Sequence, residues 1–125
     1  ENIKDSIQQA REFFKIPLEF DAVFSMLMLH HIAQPEKVFE SIKTVLKKEG
    51  KAIIVDLCEH KFNEFKNEMG DLHLGFKPEE ITKMAGNHFS AVKTERVLGI
   101  QCTCSGRSTP IFVTTMQNPL QKQVR

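Results

Sequence analysis

The sequence has no long apolar run and no strong excess of charge. No hydrophobic stretch approaches the ~20 consecutive residues that a membrane-spanning helix requires. The chain carries 17 basic and 16 acidic residues, which gives a net charge of +1. A surface that binds nucleic acid normally shows a basic surplus, so we expect neither a membrane span nor a nucleic-acid partner.

The sequence also lacks a disulfide framework and a recognisable secretory leader. Its three cysteines are an odd number without scaffold spacing, which is typical of proteins kept in a reducing compartment. The first five residues do not have the character of a signal peptide. We therefore expect a cytoplasmic protein.

Glycine is scarce and scattered along the chain. A tight turn that brings the backbone against a ligand usually depends on closely spaced glycines. No glycine here lies within two positions of another, and the sequence therefore contains no glycine-rich ligand loop. The six are Gly50, Gly70, Gly75, Gly86, Gly99 and Gly106.

What the sequence does contain is the hydrophobic periodicity of one α/β domain. With 125 residues and 41% hydrophobic content, the chain can form one core. Residues 2–14 predict an amphipathic helix, although residues 1–4 are also compatible with the end of a strand. The nearly continuous apolar run over residues 20–29 predicts a strand buried on both faces of a parallel sheet.

A helix and a second strand are predicted to follow. The helix over residues 35–48 has a proline in its first turn, and Gly50 is placed to end it. Residues 51–57 predict a second buried strand, which completes a βαβ unit. The helix should bury one apolar stripe, formed by Val38, Phe39, Ile42, Val45 and Leu46.

The last part of the chain predicts two short helices and a hairpin. The helices are expected over residues 62–69 and 78–85. Strands over residues 92–103 and 111–116 should form an antiparallel hairpin in which Gly99 marks a bulge. Residues 117–125 form a polar tail.

Two histidines and a later Asp-x-His sequence are the first candidate site residues. His30 and His31 end the apolar run. Because neighbouring side chains of a strand face opposite sides, the two are not expected to ligate one metal ion. Either is a candidate base or hydrogen-bond donor, and a structural role is equally open. Asp71 and His73 predict either a general-base pair on a lid or an ordinary turn, in which Gly75 has a positive φ.

Other polar and thiol side chains are weaker candidates. Asp56 ends the second strand and should point towards the same cleft, and His60 follows on the connecting loop. Cys102 and Cys104 alternate to one face of a strand, but a tetrahedral site needs two more ligands and only Cys58 is available. We therefore expect core or edge thiols and no metal site.

Three segments resemble the class I S-adenosylmethionine-dependent methyltransferases. They are FDAV…LHH within residues 20–31, LKKEGKAIIVD at residues 46–56, and DLHLGF followed by KPEE at residues 71–80. The last segment is similar to methyltransferases of the ubiquinone and menaquinone type. The resemblance implies an α/β fold with a partial Rossmann-like sheet of strands four to seven, the last strands antiparallel, in three layers.

The resemblance also divides the chain and implies a cofactor. Residues 20–116 correspond to the C-terminal half of a methyltransferase domain, preceded by a helical segment over residues 1–19 and followed by the tail. S-adenosylmethionine is the implied cofactor, at Ser25, Met26 and Leu27. The family's glycine-rich cofactor loop is missing, so this chain alone should bind the cofactor weakly or not at all. The residues themselves, rather than the resemblance, make His30, His31, Asp71 and His73 the candidate catalytic residues.

Two functions remain open from the sequence. The first is the substrate-side half of a methyltransferase acting on a small molecule, without activity by itself. The alternative is a non-catalytic half-domain that serves dimerisation or protein interaction. Without strands one to three, residues 20–29 become a sheet edge with unpaired backbone groups. We expect this edge to be covered by a second copy, by a missing N-terminal half, or by residues 1–14 folding back.

Overall fold

The helices and strands of the protein follow the predicted order. The computed structural model describes residues 3–14, 19–68, 70–104 and 106–118. No helix in these ranges is long and apolar enough to cross a membrane. The elements are α1 (Ile3–Phe14), β1 (Phe20–Met26), a 3-10 turn (Leu29–His31), α2 (Pro35–Val45), β2 (Leu46–Leu57), α3 (Phe65–Glu68), α4 (Pro78–Gly86), β3 (Ala91–Cys104) and β4 (Arg107–Gln117).

The four strands form one mixed sheet in the order β1-β2-β4-β3. β1 and β2 are parallel, with Met26 opposite Val55, and the other two pairs are antiparallel. This arrangement confirms the predicted fold class. The hairpin is also confirmed, and its register is irregular between Arg96 and Gln101, where Gly99 has a φ of 77°.

The core lies on one face of this sheet. α2 contacts β2 and α4, while α4 contacts β3 and β4, so both helices pack on the same side. All five residues of the predicted α2 stripe are buried, and Phe39 is completely inaccessible. Side chains of alternate sheet positions complete this core, among them Ala52, Ile54, Phe112 and Met116.

The opposite face of the sheet is open along β1. Phe24 and Met26 of β1 are 73% and 71% exposed, and Ile53 beside them is half-buried. α1 lies against α2. The prediction that residues 20–29 are buried on both faces was therefore wrong.

Strand β1 ends three residues earlier than predicted. Leu27 has a φ of 53°, and its N–H group donates to the carbonyl of Val55. A positive φ at a leucine turns the chain out of the extended conformation. Residues 29–31 therefore form a 3-10 turn, and His30 and His31 do not belong to the strand.

Helix α2 also ends earlier than predicted, because Leu46 has an extended backbone and begins β2. Gly50 does not cap this helix. A Cβ atom at Gly50 would lie 2.8 Å from the side chain of Leu46, so the small residue makes room for that core leucine. α3 begins at Phe65 rather than at residue 62, and Gln117 belongs to β4 rather than to the tail. Predictions for residues 1, 2, 15–18, 69, 105 and 119–125, and for the side chain of Cys104, lie outside the described residues.

Candidate functional site

The candidate site lies at the carboxyl ends of the two parallel strands. The 3-10 turn places His30 and His31 directly after β1, and Asp56 lies near the end of β2. This is the edge at which open α/β sheets generally bind ligands. The two imidazole rings are neighbours, with centroids 4.2 Å apart, rather than on opposite sides of a strand.

Asp56 holds His30 through both its side chain and its backbone. Nδ1 of His30 lies 2.6 Å from Oδ1 of Asp56, and the His30 N–H donates to Oδ2 at 3.0 Å. The N–H of Leu57 donates to Oδ1 at 2.6 Å. Asp56 is fully buried, so these contacts fix the position of the imidazole. The sequence placed Asp56 at the cleft through its position at a strand end, but did not identify His30 as its partner.

Asp71 approaches His30 from the other side. Its Oδ1 lies 3.5 Å from Nε2 of His30 and 3.7 Å from Nδ1 of His31. The N–H groups of Leu72 and His73 both donate to the carbonyl of His30 at 3.0 Å. The loop that carries Asp71 is therefore hydrogen-bonded directly to the histidine turn.

The predicted Asp71–His73 pair does not form. Nε2 of His73 lies 2.9 Å from the carbonyl oxygen of Ile32, and its ring lies against Phe76. Two residues apart on a bent loop, Asp71 and His73 point to different neighbours. His73 thus links the loop to the chain after the histidine turn, and Asp71 contacts His30 and His31 instead.

Gly75 lets this loop approach β2 closely. Its φ is 73°, which confirms the positive φ expected for a turn. A Cβ atom there would lie 2.2 Å from the carbonyl oxygen of Cys58, closer than atoms can approach. On either side of this contact, Phe76 N–H donates to the Leu57 carbonyl and Glu59 N–H to the Phe76 carbonyl.

Burial and nearby negative charge shift the pKa of His30 in opposite directions. Burial of the imidazole is the largest influence and disfavours the charged form. The hydrogen bond to Asp56 and the negative charges of Asp56 and Asp71 together outweigh it, so the pKa of His30 is raised above its ordinary 6.5. His30 therefore holds a proton between two buried carboxyl groups more readily than a free histidine does.

The pKa values of His60 and Cys58 are shifted mainly by burial. Burial lowers the pKa of His60, whose Nδ1 accepts the Phe62 N–H and whose ring lies against Phe62 and Phe65. Burial also raises the pKa of the Cys58 thiol, which disfavours a reactive thiolate. Neither residue lines the cavity at the histidine turn.

A cavity of about 160 Å³ opens beside the two histidines. The side chain of His31 is 40% exposed, whereas that of His30 is 7% exposed. Cys102 of β3 reaches this cavity, which the sequence did not predict. The cavity is lined by Leu27, His30, His31, Leu57, Phe65, Asp71 and Cys102.

A larger groove of about 470 Å³ lies at the other end of β2, beside residues such as Lys51, Lys93 and Gln117. It contains none of the histidines or buried carboxylates described above. We therefore place the chemistry in the smaller cavity, because ionisable groups converge there.

The three residues implied for cofactor contact have different environments. Ser25 is buried, and its Oγ has no hydrogen-bond partner among the described residues. Met26 is exposed on the open face of the sheet, and half-buried Leu27 lines the cavity. Residues 25–27 thus lie between the exposed face of β1 and the cavity beside His30 and His31.

Comparisons with known proteins agree with this architecture. Residues 6–54 match the family model of a methyltransferase domain. A candidate methyltransferase of Bacillus halodurans superposes with a TM-score of 0.59 at 13% identity, over 93% of this chain and 80% of that one. No curated protein sequence matches the chain.

Two further solved structures have the same architecture. Phosphoethanolamine N-methyltransferase 2 of Haemonchus contortus, solved with S-adenosylhomocysteine, gives a TM-score of 0.62 at 16% identity, over 83% of this chain and 34% of that one. A complex of the Haloferax volcanii Trm112 activator and a candidate methyltransferase gives 0.60 at 14% identity, over 95% and 70%. The chain thus spans about a third of the Haemonchus enzyme. The described part of the chain therefore has the fold of the class I methyltransferases.

Proposed function

We propose that this chain is the substrate-side half of an S-adenosylmethionine-dependent methyltransferase that acts on a small molecule. The observation that carries the proposal is the cluster of His30, His31 and Asp71 around a cavity at the carboxyl end of the parallel strands. The methyltransferase fold and the domain match over residues 6–54 support it. The DLHLGF and KPEE sequences favour a relative of the ubiquinone and menaquinone methyltransferases, acting in the cytoplasm.

Ser25, Met26 and Leu27 are proposed to contact the cofactor. When bound, S-adenosylmethionine supplies an activated methyl group for direct displacement by the acceptor. The buried Ser25 Oγ has no hydrogen-bond partner among the described residues, which fits a contact with a polar ligand group. The sequence has no glycine-rich loop to hold the rest of the cofactor, so the isolated chain should be inactive.

His31 is the proposed contact with the methyl acceptor. It is the more exposed of the two histidines at the cavity, and it can take the proton that the acceptor loses. His30 has an indirect role, because its imidazole is held in place by Asp56 and Asp71. His73 fixes the loop by its contact with Ile32.

Ligand titration tests this placement. S-adenosylhomocysteine added to the ¹⁵N-labelled chain should shift the amide resonances of Ser25, Met26 and Leu27. Calorimetry should give an affinity weaker than micromolar, since the glycine-rich loop is missing. His31→Ala should respond in the same way, because His31 is assigned to the acceptor. Shifts centred on Lys51 and Gln117, or a micromolar affinity, would contradict the proposal.

The exposed edge of the sheet favours a second candidate function, a non-catalytic interaction module. β1 pairs only with β2 among the described strands, and three of its apolar side chains are exposed. Such an edge can pair with another strand, and its apolar face can pack against a second protein. The partner would be a second copy of this chain or a separate N-terminal half. The three side chains are Phe20, Phe24 and Met26.

A further inference from the structure

Oδ1 of Asp71 is buried and accepts no hydrogen bond from the described residues. The side chain of Asp71 is 2% exposed. A buried carboxylate oxygen without a donor is costly, and a metal ion can replace the counter-charge that a protonated His30 supplies in the metal-free chain. Oδ1 points between the imidazoles of His30 and His31.

We propose that His30, His31 and Asp71 bind one divalent transition-metal ion of the zinc class. The three ligand atoms lie within 4.8 Å of one another, with Oδ1 of Asp71 3.5 Å from His30 and 3.7 Å from His31. Ligand atoms bound at about 2.0–2.2 Å to one tetrahedral ion lie roughly 3.3–3.6 Å apart. His31 must rotate to close the remaining difference, and this rotation also moves its Nδ1 away from the Gly70 carbonyl oxygen, which lies 3.3 Å from it.

Asp56 prepares His30 for this role. Asp56 accepts the backbone N–H groups of His30 and Leu57, so we assign it as the acceptor in the 2.6 Å contact as well and place the proton on Nδ1 of His30. Nε2 is then the ring nitrogen that faces Asp71 and the ion. Metal-binding histidines almost always donate their second ring nitrogen to a carboxylate or carbonyl in this way.

Two imidazoles and one carboxylate leave a coordination position open towards the cavity. Imidazole nitrogen favours zinc, copper, iron and nickel over magnesium and calcium. Three protein ligands with an open position are the arrangement of metal sites that bind and polarise a small molecule. The inference goes beyond the proposed methyl transfer and does not depend on it, because binding of the ion is measured without cofactor or acceptor. In the metal-loaded chain His31 holds the ion, and it takes the proton of the acceptor only in the metal-free chain.

A direct metal titration tests the site. The reduced, metal-free chain is titrated with Zn²⁺ in competition with a chromophoric chelator, and should bind one ion per chain. Co²⁺ in the same site should give the intense visible absorption of four-coordinate cobalt. His31→Ala and Asp71→Asn should each weaken binding by at least about tenfold. His31→Ala removes a partly exposed side chain, so the fold should persist, as checked by circular dichroism.

Two control variants make the outcome specific. His88→Ala removes a histidine that contacts Glu36 outside the cluster, and should leave the affinity unchanged. Cys102→Ser should retain binding as well. Absence of binding at one ion per chain, or unchanged affinity in both His31→Ala and Asp71→Asn, would overturn the proposal. Binding that is lost in Cys102→Ser but kept in His31→Ala would also overturn it, because a thiol would then hold the ion.

Discussion

At the scale of single residues, the central feature is an imidazole held between two buried carboxyl groups. Asp56 lies 2.6 Å from one ring nitrogen of His30 and Asp71 lies 3.5 Å from the other. A protonated His30 offsets part of the negative charge that burial would otherwise make costly. The neighbouring His31, whose side chain is 40% exposed, is left to meet a ligand in the cavity.

The raised pKa of His30 predicts a pH-dependent stability of the metal-free chain. The folded state binds the proton more tightly than the unfolded state does. The stabilisation is therefore fully present below the ordinary pKa of 6.5 and is lost as the pH rises through the higher, folded-state pKa. Urea unfolding in the presence of a chelator should show this decline in the free energy of unfolding.

The variant His30→Gln is the control for this pH dependence. It removes the imidazole, so its unfolding free energy should lack the decline in the same pH range. NMR titration of the His30 ring in the native chain should give a midpoint above 6.5. Parallel pH profiles for the two chains would show that His30 does not cause the effect.

At the scale of elements, the loop between α3 and α4 completes the site. Its backbone is hydrogen-bonded to the carbonyl of His30 on one side, and to β2 through Phe76 on the other. Gly75 lies at the closest approach, against the carbonyl of Cys58. The position of Asp71 over the histidines therefore depends on a residue without a side chain four positions away.

Substituting this glycine should be costly. Gly75→Ala forces a Cβ into backbone atoms at a positive φ, and should lower the free energy of unfolding by roughly 3 kcal/mol or more. Gly70→Ala is a matched control, because its φ is 70° but nothing lies within 4 Å of the new Cβ. It should cost only about 1–2 kcal/mol. Equal losses in denaturant unfolding would contradict the importance of the close approach.

At the scale of the whole molecule, the sheet is covered on one face and is open on the other along β1. The residues of β1 that face away from α2 are apolar and exposed, with Phe24 at 73% and Met26 at 71%. An apolar surface beside an unpaired strand edge favours association. The interface that covers it should be largely apolar and continuous, because it would resemble a domain core divided in two.

Phe24→Asp tests whether this face mediates assembly. A charge at the centre of an apolar contact loses its hydration without gaining a partner, so the variant should dissociate the assembly or precipitate. Light scattering of the native chain and the variant measures the change in mass. Lys93→Asp, at an exposed position of β3, is the control and should leave the mass unchanged. A folded Phe24→Asp chain of native mass would exclude the interaction hypothesis.

The sequence by itself determined most of the elements and the class of fold. Apolar periodicity located the α2 stripe and the strand that follows it, because both helix and strand repeat burial at fixed local intervals. The turn residues located the final hairpin and its bulge at Gly99. These features depend on neighbours within a few positions, and local sequence reports such neighbours directly.

Only the tertiary structure decided how the site is assembled. His30 and Asp56 are 26 positions apart, and their contact depends on the parallel register of β1 and β2. The expectation that His30 and His31 face opposite sides was wrong because Leu27 turns the chain at a positive φ. Asp71 joins the histidines because Gly75 lets its loop approach β2. The strand register and the close contact at Gly75 join residues that are far apart in the sequence. The positive φ at Leu27 occurs at a residue type that does not favour it. No local pattern in the sequence therefore encodes these three features.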